Sequence, residues 1–214
     1  MGIFESSQGC LAAMLNNKYL NLKRTAYEVP NMGGFDYRKG EMNPEIARTF
    51  FQLLYTRFSD PVAWEPFAGN ISEWSKAQDW AASEKVELIS YDLDPRDARV
   101  IKADSTRIGP PKPVNGVIFH PSYFGAKPFS QHVNEVANCN KWEDYKKALG
   151  RVCWLIRLNL LPNGWICAIG RDYRYNGQRV RLDELYIELF EAVGFKLEEV
   201  WTSIPDVVLL FRRI

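Results

Sequence analysis

The stretch PVAWEPFAGN, residues 61–70, has the pattern of a short buried strand that runs into a glycine turn. The thirteen residues after it, ISEWSKAQDWAAS, have helical spacing, and KVELISYD (residues 85–92) has the pattern of a second strand. This order predicts two parallel strands joined by a crossover helix. Asp92 lies 23 positions after Gly69. That spacing is typical of nucleotide-binding units, in which the glycine admits close approach of the ligand and the acid binds ribose hydroxyls.

The rest of the chain continues the alternation of strands and helices. A helix is predicted over residues 43–58, with Asn43 as its N-cap and Pro44 at its first position. Further strands end at Asp104, Phe119 and Gly170, two more helices lie within residues 140–161 and 181–193, and two strands flank Pro205. These elements predict an α/β domain with a mostly parallel sheet, helices on both faces and one antiparallel strand near the edge. We place this domain at residues 43–214, with residues 1–42 as an N-terminal extension.

The composition is that of an ordinary globular protein, with 46% hydrophobic residues and 27 Lys and Arg against 26 Asp and Glu. Nucleic-acid binding would therefore need a local basic patch. The four cysteines are scattered, which predicts free thiols in a reducing cytosol, and with two histidines they predict no metal site. No apolar run is long enough to span a membrane, and no signal-peptide pattern opens the chain. We therefore expect a cytoplasmic protein.

Polar residues gather where the predicted strands end. Glu65 and the glycine turn follow the first strand, Asp92 the second, Asp104 the third, and His120-Pro121-Ser122-Tyr123 the fourth. Each feature alone is also what a turn or a helix cap would have. Because ligands of open α/β sheets bind at the carboxyl ends of the strands, their order predicts one shared site.

These motifs resemble the class I S-adenosylmethionine-dependent methyltransferases, and more closely the DNA amino-methyltransferases that modify adenine N6 or cytosine N4. The resemblance covers about residues 41–214 and implies a Rossmann-like, seven-stranded fold with S-adenosyl-L-methionine as cofactor. EPFAGN resembles the family's glycine turn, Asp92 its ribose acid, ADS the turn beside adenine, and HPSYF its catalytic tetrapeptide. The implied cofactor-binding residues are Glu41, Asn43, Glu65, Pro66, Phe67, Ala68, Gly69, Asn70, Asp92, Leu93, Asp104, Ser105 and His120.

In that family the tetrapeptide accepts the two hydrogens of a flipped base's amino group, and its aromatic residue stacks on the base. The implied catalytic residues are His120, Pro121, Ser122 and Tyr123, but His120 replaces the usual acceptor and Ser122 replaces a proline. Neutral imidazole has one acceptor nitrogen. We therefore expect activity to fall as the pH drops through the ordinary histidine pKa of about 6.5, and we expect Ser122 to make the loop less stiff.

The motif departures leave three hypotheses for the function. The chain is a nucleobase methyltransferase, a methyltransferase acting on RNA or on a protein or small-molecule amine, or a noncatalytic protein of this fold. The expected partner is nucleic acid, DNA before RNA, and the short chain favours a specificity subunit or a homodimer. The implied nucleic-acid contacts are Arg171, Tyr173, Arg174, Tyr175 and Arg179, which mix cations and aromatic rings.

Most aromatic residues are expected to belong to the core. Phe50, Phe51, Trp154, Phe190 and Phe211 all lie on faces that the helical and strand periodicity predicts to be buried.

Overall fold

The computed structural model describes residues 27–28, 43–69, 71–125, 132–203 and 206–214. Glu41 and Asn70, two of the implied cofactor-binding residues, lie outside these ranges. The described residues form four α-helices: α1 (Pro44–Arg57), α2 (Ile71–Ser83), α3 (Trp142–Asn159) and α4 (Leu182–Ala192), with a short 3₁₀ helix at Val136–Asn138. The strands are β1 (Tyr27–Glu28), β2 (Val62–Glu65), β3 (Glu87–Asp92), β4 (Ile101–Lys102), β5 (Val114–Phe119), β6 (Leu160–Gly170), β7 (Tyr173–Tyr175), β8 (Gln178–Val180), β9 (Phe195–Ser203) and β10 (Asp206–Arg213).

Eight of these strands form one sheet in the order β1-β9-β10-β6-β5-β2-β3-β4. Strand β2 pairs in parallel with both β3 and β5, and β5 pairs in parallel with β6. Strand β10 lies between β6 and β9 and is antiparallel to both. Without the two-residue strand β1, the sheet has the seven strands β9, β10, β6, β5, β2, β3 and β4. It is mostly parallel with one antiparallel strand, as predicted. Because β2, β3 and β5 run the same way side by side, their carboxyl ends share one edge of the sheet.

Helices cover both faces of the sheet, as expected. Buried residues of α1 and α2 form one hydrophobic cluster with one face of the sheet, and buried residues of α3 and α4 form a second cluster with the other. Helix α1 begins as predicted, because the Asn43 side chain accepts a hydrogen bond from Glu45 N at 3.1 Å. None of the described helices is both long and apolar enough to cross a membrane.

One prediction about the core is wrong. Phe50, Phe51, Phe190 and Phe211 are fully buried, but the Trp154 side chain is 55% exposed. Helix α3 buries a different stripe, which includes Tyr145, Leu149, Val152, Cys153 and Ile156. Trp154 lies on the opposite side of the helix, where nothing in the pattern of apolar residues requires a large ring.

Two elements were not anticipated. Strand β1 lies within the predicted N-terminal extension, yet it pairs in parallel with β9. The segment between β6 and α4, for which no regular element was predicted, contains the antiparallel hairpin β7–β8. Asn176 and Gly177 form its turn, and both have positive φ. This Asn-Gly pair between short runs rich in tyrosine and valine was the available sequence signal for a hairpin.

Candidate functional site

The glycine turn after β2 is hydrogen-bonded to the end of β3. Gly69 has a φ of +65°, a conformation that glycine adopts without strain. Its N–H donates to Asp92 Oδ2 at 3.0 Å, and Asp94 N donates to Asp92 Oδ1 at 2.7 Å. Burial raises the pKa of Asp92, although the two backbone hydrogen bonds oppose the shift. A carboxylate has about four acceptor positions, so Asp92 can accept further hydrogen bonds from a ligand.

The turn after β4 is hydrogen-bonded to the glycine turn. Ser105 is buried and its hydroxyl donates to the carbonyl of Pro66. Asp104 Oδ1 caps its own turn by accepting from Thr106 N at 2.9 Å, and Asp104 Oδ2 accepts from Asn134 Nδ2 at 2.9 Å. The same carboxylate therefore links the turn after β4 to the segment that follows β5. Much of its hydrogen-bonding capacity is used within the protein.

The remaining implied cofactor residues divide into two groups. Glu65 is buried and accepts a hydrogen bond from Phe67 N. This bond stabilises the backbone of the glycine turn. Asn43 is also fully buried, and its Nδ2 donates to Ser203 Oγ at the end of β9. The structure thus gives Asn43 two structural bonds, one as the cap of α1 and one to β9. Pro66, Phe67, Ala68 and Leu93 lie in the turns at the same edge of the sheet.

Residues 120–123 leave the end of β5, the strand beside β2. The Ser122 hydroxyl donates to Glu135 Oε1, and the Ser122 carbonyl accepts from the Tyr145 hydroxyl at 3.0 Å. The expectation of a looser loop is therefore not met, because two hydrogen bonds restrain the position where the family has a second proline. Within the described part of the chain, no hydrogen bond occupies the carbonyl of Pro121.

Tyr123 and His120 form a partly buried aromatic pair. The Tyr123 ring stacks on Tyr173 with centroids 5.4 Å apart, and it meets the His120 ring edge-on at 6.0 Å. The Tyr123 hydroxyl lies 3.5 Å from His120 Nε2. Tyr173 therefore covers one face of the Tyr123 ring, which leaves only the opposite face for a substrate base.

Burial, together with the nearby charge of Arg171, lowers the pKa of His120 to about 4. The lowered pKa favours the neutral imidazole at neutral pH, and a neutral imidazole has one acceptor nitrogen. Any loss of activity through titration of His120 is therefore expected at a lower pH than the ordinary histidine pKa of about 6.5.

An ion pair that the sequence analysis missed lies beside this loop. Arg171 Nε donates to Asp206 Oδ1 at 2.8 Å, with the side chains 15% and 0% exposed. Val207 pairs with Gly170 in the antiparallel ladder of β10 and β6. This pairing brings Arg171 and Asp206 together at the carboxyl edge of the sheet, called the rim below. Asp206 Oδ2 is buried without a hydrogen-bond partner in the described ranges, and burial raises the Asp206 pKa to about 6 although Arg171 opposes this.

The implied nucleic-acid residues do not form one surface patch. Arg171 is held in the Asp206 pair, and Tyr173 stacks on Tyr123 while its hydroxyl donates to Phe124 O at 2.7 Å. Arg179 is exposed but pairs with Asp172 at 2.6 Å. Arg174 is exposed on β7. Tyr175 packs edge-on against Phe124 and lines a groove of about 690 Å³ between the hairpin, α3 and α4.

The described residues include no group of three or more His, Cys, Asp or Glu side chains placed to hold a metal ion. Four residues that contact the candidate site residues were not anticipated from the sequence: Asp206, Ser203, Glu135 and Tyr145. Asp206 had one available signal, since it is a lone acid that opens the apolar strand DVVLLF. The roles of the others depend on contacts across 13 to 160 positions of sequence, which local patterns do not predict.

Comparison with known proteins identifies the class of fold. No protein-family model and no curated protein matches the sequence. Among solved structures, the chain is similar to 1,6-didemethyltoxoflavin-N1-methyltransferase of Burkholderia thailandensis, bound to its substrate and S-adenosylhomocysteine (TM-score 0.53, 16% identity, 83% of this chain and 81% of that chain).

Two further structures have a similar fold. TrmN from Thermus thermophilus matches with a TM-score of 0.51 and 14% identity over 81% of this chain, which spans only 49% of TrmN. A TehB-like SAM-dependent methyltransferase from Corynebacterium glutamicum matches with a TM-score of 0.50 and 11% identity over 98% of this chain and 96% of that one. The chain thus has the Rossmann-like fold of the class I methyltransferases.

Proposed function

We propose that this protein is an S-adenosylmethionine-dependent methyltransferase that modifies an exocyclic amino group of a nucleic-acid base, adenine N6 or cytosine N4, with DNA as the favoured acceptor. One observation carries the proposal: the Gly69–Asp92 turn and the loop 120–123 flank β2 at the same edge of the sheet. A cofactor bound over the turn would therefore have its reactive end near that loop.

The residues of the glycine turn fit the nucleoside part of the cofactor. Gly69 has no side chain to obstruct a ligand, and Asp92 has acceptor positions beyond those used by Gly69 N and Asp94 N. Asp92 is the expected partner of the ribose hydroxyls, and the Ser105 turn is the expected neighbour of the adenine. When bound, S-adenosylmethionine supplies an electrophilic methyl group on a sulfonium.

The protein's contribution would be to orient the acceptor amine. The lone pair of an exocyclic amino group is delocalised into the ring, so hydrogen-bond acceptors that hold both N–H groups make it available for attack. Neutral His120 and the carbonyl of Pro121 would be these two acceptors. Tyr123 would stack on the base through the face that Tyr173 leaves uncovered.

The loop would keep its geometry through groups that do not touch the acceptor. Glu135 and Tyr145 restrain Ser122 from two sides. The Arg171–Asp206 pair places a guanidinium beside both aromatic rings of the loop, as the effect of Arg171 on the pKa of His120 and of Tyr123 indicates. Preorganised dipoles of this kind are the main source of rate enhancement in such sites.

A small heterocycle is the alternative acceptor that one observation favours. The Burkholderia structure is named as an N1-methyltransferase of 1,6-didemethyltoxoflavin. RNA and protein amines are the other acceptors to include in the same test.

Two measurements test the proposal. Titration calorimetry with S-adenosylhomocysteine should detect binding to the wild-type protein and weaker binding to Asp92→Asn. Transfer of tritiated methyl groups to separate pools of DNA, RNA, protein and small heterocycles then identifies the acceptor. We expect His120→Ala to lose about a hundredfold in transfer rate and to weaken S-adenosylhomocysteine binding less than Asp92→Asn does.

His132→Ala is the matched control, because it removes the chain's other histidine, which is exposed and lies outside the loop. Absence of S-adenosylhomocysteine binding would refute the methyltransferase assignment. Binding with transfer only to protein or small heterocycles would refute the nucleobase assignment alone.

A further inference from the structure

A second groove, of about 500 Å³, lies between helix α3 and the turn after β4. Its lining includes the cations Arg107, Lys147 and Arg151 together with the ring of Trp154. No acidic side chain is among the described residues that line it. The groove therefore combines positive charge with an aromatic surface.

The exposed residues of α3 form one stripe along the helix. Lys147, Arg151, Trp154 and Leu158 are exposed at intervals of four, three and four residues, which places them on one face. Trp154 is 55% exposed and Leu158 is 60% exposed. Ile108, which directly follows the groove residue Arg107 in the sequence, is 55% exposed. Large apolar side chains grouped on a surface in this way mark interaction sites.

The cations of this stripe are not held in ion pairs within the described part of the chain, although Glu143 and Asp144 stand one helical turn before Lys147. Neither Lys147 nor Arg151 takes part in an ion pair among the described residues. Arg107 Nε lies 3.3 Å from Asp104 Oδ2, but its side chain is 69% exposed. Since exposed cations without partners create a positive potential, the surface is complementary to a polyanion.

The groove begins next to the candidate active site. Thr106 and Arg107 line it and directly follow Asp104 and Ser105 at the rim. Helix α3 returns from the carboxyl edge of the sheet, so Lys147 lies nearer the rim than Leu158. The eleven positions between them span about 16 Å of helix, enough for several nucleotides of an extended strand.

We propose that this groove binds a single-stranded segment of nucleic acid, with a base stacked on Trp154 and adjacent phosphates on Lys147 and Arg151. Basic grooves interleaved with exposed aromatic rings bind single strands in this way, largely without sequence preference. The inference rests on the proposed function for the identity of the acceptor. It adds a contact that would hold the strand beside the site while a base is displaced from its neighbours.

A second copy of the chain fits the surface less well. The apolar part consists mainly of Trp154, Leu158 and Ile108, whereas a stable interface buries roughly 800 Å² on each partner. The unpaired cations at the other end would also need acidic partners, and none lines the groove.

Fluorescence anisotropy with fluorescein-labelled 20-nucleotide oligothymidylate and oligouridylate, over a range of salt concentrations, tests the proposal. The double variant Lys147→Ala, Arg151→Ala should raise Kd about tenfold near 0.1 M salt and make the salt slope shallower by about 1.4. Trp154→Ala should raise Kd about tenfold or more, and Trp154→Phe, which retains an aromatic face, should restore most of the affinity.

Lys196→Ala is the control, since Lys196 is an exposed lysine on β9 outside the groove. Unchanged Kd and salt slope in both groove variants would overturn the proposal, as would a wild-type protein that binds neither oligonucleotide. A dimer in sedimentation that Trp154→Ala dissociates, with oligonucleotide affinity unchanged, would assign the surface to a second copy instead. Calorimetry with S-adenosylhomocysteine on each variant separates these outcomes from failure of the proposed function, because no groove variant should alter that binding.

Discussion

Replacing Asp206 by asparagine should remove a specific pH dependence from the stability of the fold. Asp206 is 1% exposed, and burial raises its pKa from 3.8 to about 6 despite the ion pair with Arg171. In the unfolded chain the same carboxyl titrates at its ordinary pKa. The folded protein therefore retains this proton over a pH range in which the unfolded chain has lost it.

The sign follows from linkage. Where the native state binds more protons than the unfolded state, the free energy of unfolding falls as the pH rises. Asp206 thus favours the folded state most below pH 3.8, and this contribution is lost as the pH rises through about 6. A shift of about two pKa units corresponds to roughly 3 kcal/mol, of which roughly 2 kcal/mol lies between pH 4.5 and 7.5.

The assay is urea denaturation followed by circular dichroism at constant ionic strength, for wild type and Asp206→Asn, from pH 4.5 to 7.5. The wild-type free energy of unfolding minus that of the variant should fall by about 2 kcal/mol across this range. Other titrating groups are common to both proteins and cancel in the difference.

Asp97→Asn is the matched control. Hydrogen bonds from Arg99 lower the pKa of Asp97 to about 2, so its contribution is lost only at lower pH and the corresponding difference should be flat. If the difference for Asp206→Asn also stays constant, the Asp206 carboxyl titrates at its ordinary pKa. The inference that burial raises this pKa would then be wrong.

Three further predictions concern the site and its support. Gly69→Ala should weaken S-adenosylhomocysteine binding in calorimetry, because Gly69 has a φ of +65°. Gly177→Ala, at a φ of +77° in the hairpin turn, should leave the affinity unchanged. Equal effects of the two substitutions would show that the Gly69 turn does not bind the cofactor. The transfer rate should not respond to His120 titration between pH 8 and 5.5, since its pKa is about 4; a fall near pH 6.5 that His120→Gln abolishes would contradict this. Gly116→Ala should lower the free energy of unfolding by about 1–3 kcal/mol, because a Cβ there would lie 2.4 Å from Leu54 Cδ1; an unchanged urea midpoint would show that Leu54 moves aside freely.

Local patterns were sufficient to predict the elements that form the sheet. The apolar runs of β2, β3 and β5, the N-cap of α1 and the periodicity of α1, α3 and α4 place these elements within a few residues of their observed bounds. The run WICAIG predicted the end of β6 at Gly170 but not its start at Leu160. The antiparallel strand was predictable because residues 195–203 and 206–213 are joined by too short a turn for a parallel crossover.

The same patterns failed where a residue's environment depends on distant parts of the chain. Trp154 was expected to be buried because it is apolar and lies on a helix, but the stripe of α3 that faces the sheet is already filled by Tyr145 and its neighbours. Periodicity identifies an apolar face only when the apolar residues are confined to one side. Here the tertiary packing decided which side was buried.

For the candidate site as well, the sequence predicts the positions of the residues but not their protonation states. The order of Gly69, Asp92 and the tetrapeptide 120–123 along the chain is enough to bring them to one edge, because parallel neighbouring strands end together. The protonation states there are not encoded locally. Burial lowers the pKa of His120 and raises the pKa of Asp206; Arg171 adds to the first shift and opposes the second. The position of Arg171 depends on the insertion of β10 between β6 and β9. The local sequence pattern thus determined the sheet and the edge at which the candidate site residues meet. Long-range packing alone decided the protonation states and the exposed faces, since the electrostatic environment depends on distance in space rather than along the sequence.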